Sequence, residues 1–293
     1  MGRPALRYIR RALRVLGVAA LVLAIAALVA MNVVDFGASP ATIERAFAGL
    51  PHAPRHGAVE VDGRAIHYVE VGDPENPPVV LLHGSPGSWD AYLSQLTSAA
   101  LQERAHMIAL DRPGFGDSSD GGHEPSLARQ AAITRAVLHA AHPDAPAVVV
   151  GHSFGGPVAG RLAMDAPEDV RALVLVAPSI DPALERTMLA QRVANLRVVA
   201  ALLPDALVAC NREIMALRAE LEEMAPRWER MTTPVTVIQG EADRLVPPAN
   251  ADFAAARVPA SSLELVRVPG MDHFVPWTRP ELIEDAVLRH LGA

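Results

Sequence analysis

From residue 57 onward, short β-branched runs alternate with longer stretches whose apolar positions recur at helical spacing. Ala58–Val61 and Ala65–Val71 predict two strands around Asp62-Gly63, a dipeptide suited to a tight hairpin turn. Val79–Leu82, His106–Leu110, Ala147–Val150, Ala172–Val176, Val235–Gln239 and Leu263–Val268 predict further strands. Helices are predicted over Trp89–Glu103, Leu127–Ala141, Gly155–Asp165, Ala249–Arg257 and Glu281–Leu291. Strands alternating with helices of this length imply an α/β fold, a mostly parallel sheet covered by helices on both faces.

Two stretches break the rhythm. Residues 181–231 carry no strand pattern but two helix-like pieces, Ala183–Leu203 and Ala206–Met224. Inserted between two sheet strands, they are expected to fold over the C-terminal edge as a helical cap, where ligands of such sheets bind. Residues 35–56 contain Pro40, Pro51 and Pro54 and one short helix-like piece, Ala41–Gly49, and read as a linker. The expected domain is therefore 57–293.

The N-terminus has a different character. Residues 15–31 are unbroken apolar, and Asn32, Val33 and Val34 extend the stretch to 20 residues. At about 1.5 Å per residue that spans roughly 30 Å, the thickness of a bilayer core. Arg3, Arg7, Arg10, Arg11 and Arg14 precede it, and the first 34 residues contain no acid. The pattern predicts a basic cap and transmembrane signal anchor over 1–34. It would place the rest of the chain, including the domain over 57–293, on the extracytoplasmic side of an inner membrane. A cleaved signal, with a secreted or periplasmic product, is the alternative, and Arg10-Arg11 resembles a twin-arginine signal.

Composition adds exclusions. Net charge is −7, every Lys/Arg position is arginine, and no basic patch interleaves with aromatics, so nucleic acid is not an expected partner. Cys210 is the single cysteine, so no intramolecular disulfide can form. No C-x-x-C or H-E-x-x-H spacing suggests a metal.

The chemistry concentrates in Gly151-His152-Ser153-Phe154-Gly155, a G-x-S-x-G sequence between a predicted strand and a predicted helix. A serine on such a turn stands clear of the sheet, and the glycines leave room for a sharp reversal. The hydroxyl needs a base, and the base needs an orienting acid. Gly240-Glu241-Ala242-Asp243 and Gly270-Met271-Asp272-His273 each follow a strand at the same sheet edge, 90 and 120 residues after Ser153. His273 is the expected base and Asp243 its orienter, in the chain order Ser, Asp, His. Asp181 is the alternative acid and His152 the alternative base, while Glu241 and Asp272 are expected at the surface or behind the site.

An acyl-transfer oxyanion needs two N–H donors. The backbone of Phe154 would supply one, and Ser85 in Leu81-Leu82-His83-Gly84-Ser85-Pro86-Gly87 the other. His83 is expected to brace that loop. Asp111-Arg112-Pro113-Gly114-Phe115-Gly116-Asp117-Ser118 is expected to frame the pocket as a structural loop. Trp89, Phe154, Met188, Leu189 and Trp228 are candidate walls of the substrate pocket.

These motifs, in this order over residues 57–292, resemble the α/β-hydrolase superfamily, in particular its cap-bearing fold-1 branch. The resemblance implies an eight-stranded, mostly parallel sheet and a Ser153–His273–Asp243 triad without a cofactor. His83-Gly84-Ser85-Pro86 is similar to the H-G-x-P loop of epoxide hydrolases and haloalkane dehalogenases. Those enzymes use an aspartate nucleophile, and this chain has Ser153 in its place. The expected activity is hydrolysis of small-molecule carboxylic esters or related acyl bonds. The alternatives are a C–C bond hydrolase, an acyltransferase or a perhydrolase on the same fold, or a non-catalytic binding protein on a hydrolase scaffold.

Overall fold

The structure is a computed structural model that describes residues 37–292. Eight strands form one sheet: β1 Arg55–Val61, β2 Arg64–Val71, β3 Pro78–Leu82, β4 His106–Leu110, β5 Ala147–His152, β6 Val170–Val176, β7 Val235–Gly240 and β8 Leu263–Val268. Their order is β1-β2-β4-β3-β5-β6-β7-β8. β1 pairs antiparallel with β2 and β2 antiparallel with β4; every later neighbour is parallel. The hairpin turns at Asp62 and Gly63, both with positive φ, as an Asp-Gly turn requires.

The central strands carry apolar runs because both faces are covered. Val80 and Leu82 of β3 and Val149 of β5 face one core, shared with Val137, Val158, Leu162 and Trp228. Val79, Leu81, Val148 and Val150 face the other, with Tyr92, Leu96, Leu101, Ile283 and Val287.

Register positions the site. Leu82 lies opposite Gly151, so the loop leaving β3 emerges beside the loop leaving β5. Gly240 lies opposite Val268, so the loops after β7 and β8 emerge together. Those two loops are joined where Ala242 N–H donates to Met271 C=O at 2.8 Å.

Several expectations change. Residues 89–104 form not one helix but a 3-10 turn (Trp89–Tyr92) and two short helices, Leu93–Leu96 and Ala99–Arg104. Ser98 caps the second by accepting from Leu101 N–H, so the chain restarts a helix there. The inserted stretch is helical, with helices Leu189–Ala194, Arg197–Ala200 and Asp205–Met224. Of the stretch expected as a linker, residues 37–56 are more than that. Pro40–Phe47 is a helix capped by Ser39, Phe47 is buried against the second core, and β1 begins already at Arg55. His52 and Gln102 exchange two hydrogen bonds of 3.3 Å each, which ties this segment to the domain.

The membrane expectation is corrected. Residues 1–34 lie outside the described residues, and among the described residues no helix is long and apolar enough to cross a membrane. The placement of a catalytic domain across an inner membrane is therefore not upheld.

Trp228, expected as a pocket wall, is a core residue with no exposed surface. Its ring lies on Gly160, where an added Cβ would come within 2.6 Å of the indole. Gly160→Ala should therefore destabilise the domain by about 1–3 kcal/mol through overpacking, outweighing the ~1 kcal/mol that alanine gains over glycine in a helix. A thermal melt should show a lower midpoint; an equal or higher one would contradict this packing.

Candidate active site

Ser153 sits between the end of β5 and the Gly155–Asp165 helix with φ +54, a left-handed conformation uncommon for serine. The turn is clamped from both sides. Ser153 N–H donates to Val176 C=O at 2.9 Å, and its own carbonyl accepts from Gly156 N–H at 3.0 Å and Ser179 N–H at 3.3 Å. A Cβ on Gly151 would lie 2.3 Å from the Gly155 carbonyl oxygen, and a Cβ on Gly155 would lie 2.3 Å from that of Leu82. Only glycine fits at either position while the backbone stays this close. Phe154 is the N-cap of the following helix, so its N–H lies among donors with no partner inside that helix.

His273 and Asp243 meet behind this turn. His273 Nδ1 and Asp243 Oδ2 are 2.7 Å apart, and Asp243 Oδ1 accepts from the N–H groups of Leu245 and Val246 at 2.9 and 2.8 Å. Burial opposes ionisation of Asp243. The bonds from His273 and from the Val246 and Leu245 backbone outweigh it and hold the carboxyl below its usual range. With Nδ1 committed to Asp243, Nε2 is the imidazole nitrogen available to a hydroxyl. Ser153 and His273 line one cavity; among the described residues no hydrogen bond joins them, a common condition before substrate arrives.

The other candidates fall elsewhere. His152 Nε2 lies 3.2 Å from the His273 carbonyl oxygen, with the two rings 4.7 Å apart, so His152 supports the backbone of His273. Burial, then the neighbouring His273, lowers its pKa to about 3, which keeps it neutral. Asp181 caps its own turn by accepting from Ala183 N–H. Glu241 and Asp272 are exposed.

The loop after β3 is braced as a unit. His83 donates from Nδ1 to Gly84 C=O at 2.7 Å and accepts at Nε2 from Arg112 N–H at 3.0 Å. An imidazole that accepts cannot be protonated at that nitrogen. Burial, then the Arg112 charge, lowers its pKa to about 3. Ser85 and Phe154 both line the cavity. Asp111 holds the neighbouring loop, accepting from Trp89 N–H at 2.7 Å and Asp117 N–H at 3.0 Å and bonding His67 Nδ1 at 2.8 Å. His67, Asp111 and Asp117 have the spacing of metal ligands, yet these bonds already account for Asp111 as a loop brace.

The cavity measures about 1110 Å³. Leu184, Met188, Ile214 and Leu217 of the insertion, with Leu245, Phe274 and Trp277 of the sheet-edge loops, supply its apolar walls. Gly37, Ala38 and Ala46 complete it, so the segment expected as a linker contributes to the wall. Of the candidate walls, Phe154 and Met188 are present. Trp89 is buried in the second core, with its backbone on Asp111, and Leu189 is exposed. The sequence reading missed Phe274 and Trp277, although both sit within four residues of His273. It also missed Arg112 and Glu213, whose buried pairing spans 101 residues of chain and has no local signal.

Comparison with known proteins agrees with this architecture. The family described as "alpha/beta hydrolase fold" matches residues 77–198. The dihydrolipoyllysine-residue acetyltransferase component of the acetoin cleaving system of Cupriavidus necator is 37% identical over 119 residues, 41% of this chain and 31% of that protein. The bifunctional epoxide hydrolase 2 of Rattus norvegicus is 33% identical over 125 residues, 42% of this chain and 22% of that protein. The chain thus spans a third or less of the length of these relatives. A crystal structure of a candidate lipase from Acinetobacter baumannii superposes with a TM-score of 0.67 at 19% identity, covering 88% of this chain and 97% of the other. With its eight-stranded, mostly parallel sheet and the serine turn after β5, the chain has the α/β-hydrolase fold, and its residues 77–198 match the family of that description.

Proposed function

We propose that this protein is a serine hydrolase that cleaves carboxylic esters or related acyl bonds through an acyl-enzyme. Ser153 is the nucleophile, His273 the general base and acid, Asp243 the residue that orients His273, and the N–H groups of Ser85 and Phe154 the oxyanion donors. The observation that carries the reading is the serine held at φ +54 on the wall of the same apolar cavity as His273, whose Nδ1 is paired with Asp243.

In this reading, Ser153 Oγ attacks the substrate carbonyl carbon while His273 Nε2 takes the hydroxyl proton. Negative charge moves to the carbonyl oxygen, which the N–H groups of Ser85 and Phe154 would stabilise. The tetrahedral species collapses, the C–O bond to the alcohol breaks, and His273 returns its proton to the leaving alkoxide. Water then attacks the acyl-enzyme with His273 again as base, releasing the acid and restoring Ser153. Asp243, held anionic, stabilises the imidazolium formed in each half.

The apolar walls favour an acyl or alcohol chain longer than acetyl. Each buried methylene contributes about 0.8 kcal/mol, or roughly a fourfold gain in kcat/KM. An ester panel of rising chain length should show such a climb beyond acetate; a flat profile would contradict a cavity used for the chain.

A fluorophosphonate probe should label the wild-type protein and fail to label Ser153→Ala, with ester turnover falling at least about 10³-fold in Ser153→Ala and His273→Ala. A folded wild-type protein that resists the probe, or near-full turnover in either variant, would refute the assignment. Because residue 153 stays left-handed in the variant, Ser153→Gly should melt above Ser153→Ala, glycine bearing no Cβ penalty there.

Stability should also fall in mild acid. The unfolded chain protonates His83 and His152 near their ordinary value of about 6.5. The folded chain does not until about 3. Between those values the unfolded state binds more protons, so stability falls as pH drops, by up to about 1.4 kcal/mol per pH unit for each group. The lowered Asp243 acts in the same direction. Urea midpoints should decline steadily from pH 7 to pH 4.5; a constant midpoint would contradict the neutral assignments.

A further inference from the structure

The insertion reaches into the sheet edge through one side chain. Glu213, midway along the Asp205–Met224 helix, has no exposed surface, and neither of its oxygens faces solvent unpaired. Oε1 accepts from Arg112 Nη1 and from Gln130 Nε2, at 2.5 and 2.8 Å. Oε2 accepts from Arg112 Nη2 at 3.3 Å and from the Ser85 hydroxyl at 2.5 Å. Arg112, 1% exposed, turns its remaining donors on the loop after β3: Nε to His83 C=O at 3.0 Å and Nη2 to Gly84 C=O at 2.9 Å. Its guanidinium also stacks 4.9 Å from the Phe154 ring.

The Gly84 carbonyl and the Ser85 N–H belong to the same peptide unit, which is planar, with the two groups directed oppositely. Fixing the carbonyl fixes the direction of the N–H. Arg112 and His83 hold the carbonyl from one side, and Glu213 holds the Ser85 side chain from the other. The same guanidinium packs on Phe154, the other residue whose N–H borders the site.

We propose that Glu213 is a positioning residue that, through Arg112 and the Ser85 hydroxyl, aims the Ser85 N–H at the oxyanion and so makes the geometry of the hole depend on how the inserted helix is seated. The proposal deepens the serine-hydrolase reading and rests on it. It assigns the pair a role in the transition state rather than in substrate affinity, because the oxyanion forms only after attack.

The test uses the whole chain, p-nitrophenyl butyrate as substrate, and a trifluoromethyl ketone whose addition product with serine places an oxyanion in the hole. Ser85→Ala keeps the peptide N–H and the buried ion pair and removes the hydroxyl, which ties to Glu213 and also meets the Cys210 thiol. It should lower kcat roughly 10- to 100-fold with KM within about twofold, and weaken the ketone by the same factor. Its melting midpoint should stay near wild type. Ser85→Thr, which restores a hydroxyl, should recover most of kcat. Glu213→Gln should lose kcat at least as strongly, and the double variant should be no worse than Glu213→Gln alone, since both cut one linkage. If Glu213→Gln does not fold, the Ser85 pair of variants decides. Unchanged kcat and ketone affinity in Ser85→Ala, or a loss that lies in KM, would overturn the proposal while Ser153-dependent turnover of the wild type left the hydrolase reading standing. A wild type without Ser153-dependent turnover would remove both.

Discussion

Between β5 and the helix that follows it, the chain reverses so closely that the Gly151 and Gly155 positions lie against backbone carbonyls, those of Gly155 and Leu82 respectively. A side chain at either point would force β5 and β3 apart or lift the helix off the sheet. Ser153 absorbs the reversal in a left-handed conformation, at a cost of about 1–3 kcal/mol that the surrounding hydrogen bonds and buried strands must offset. The return is geometric. The hydroxyl stands at the sheet edge, the first N–H groups of the helix lie beside it, and the loop after β3 is drawn alongside by the pairing of Leu82 with Gly151.

Around that turn lies a buried polar layer rather than an apolar one. His83, Arg112, Gln130 and Glu213 are each 1% exposed or less, and together they connect the β3 loop, the loop after β4, the Leu127–Ala141 helix and the insertion. A buried ion pair adds little net stability compared with apolar packing, because desolvation offsets the attraction, but losing one partner costs about 3–5 kcal/mol. Its effect is therefore on placement: few other seatings of the inserted helix could pair both charges. The pair keeps the insertion in one register over the cavity and keeps the loop beneath it in one orientation.

The legible parts of the sequence were those governed by short-range physics. Strands buried on both faces read as unbroken apolar runs, and the observed strands begin and end within two or three residues of the expected ones. The Leu127–Ala141 and Gly155–Asp165 helices match in full. The Asp62-Gly63 turn, the G-x-S-x-G turn and the polar loops ending β7 and β8 announce themselves through backbone requirements that few residues meet. Where the expectation failed, a local signal was outweighed by packing. The helix expected over 89–103 is interrupted because Ser98 offers a second cap, and Tyr92 and Leu96 turn into the core on one side of the break. Trp89 and Trp228 carry no sequence mark that separates a pocket wall from a core residue, and both are core. The segment before β1 was proline-rich and looked unattached, yet Phe47 and the His52–Gln102 exchange bind it to the domain.

By itself the sequence determined the alternation of strands and helices, the position of the sharp serine turn and the loops from which an imidazole and a carboxylate could approach it. Each depends on side-chain periodicity or on φ values that neighbouring residues permit. Only the tertiary structure decided which acid meets His273, which aromatics border the cavity, and that Glu213 reaches Ser85 and Arg112 across 128 and 101 residues. Those pairings follow from strand order and from how the inserted helix is seated, and neither leaves a trace in the spacing of residues along the chain.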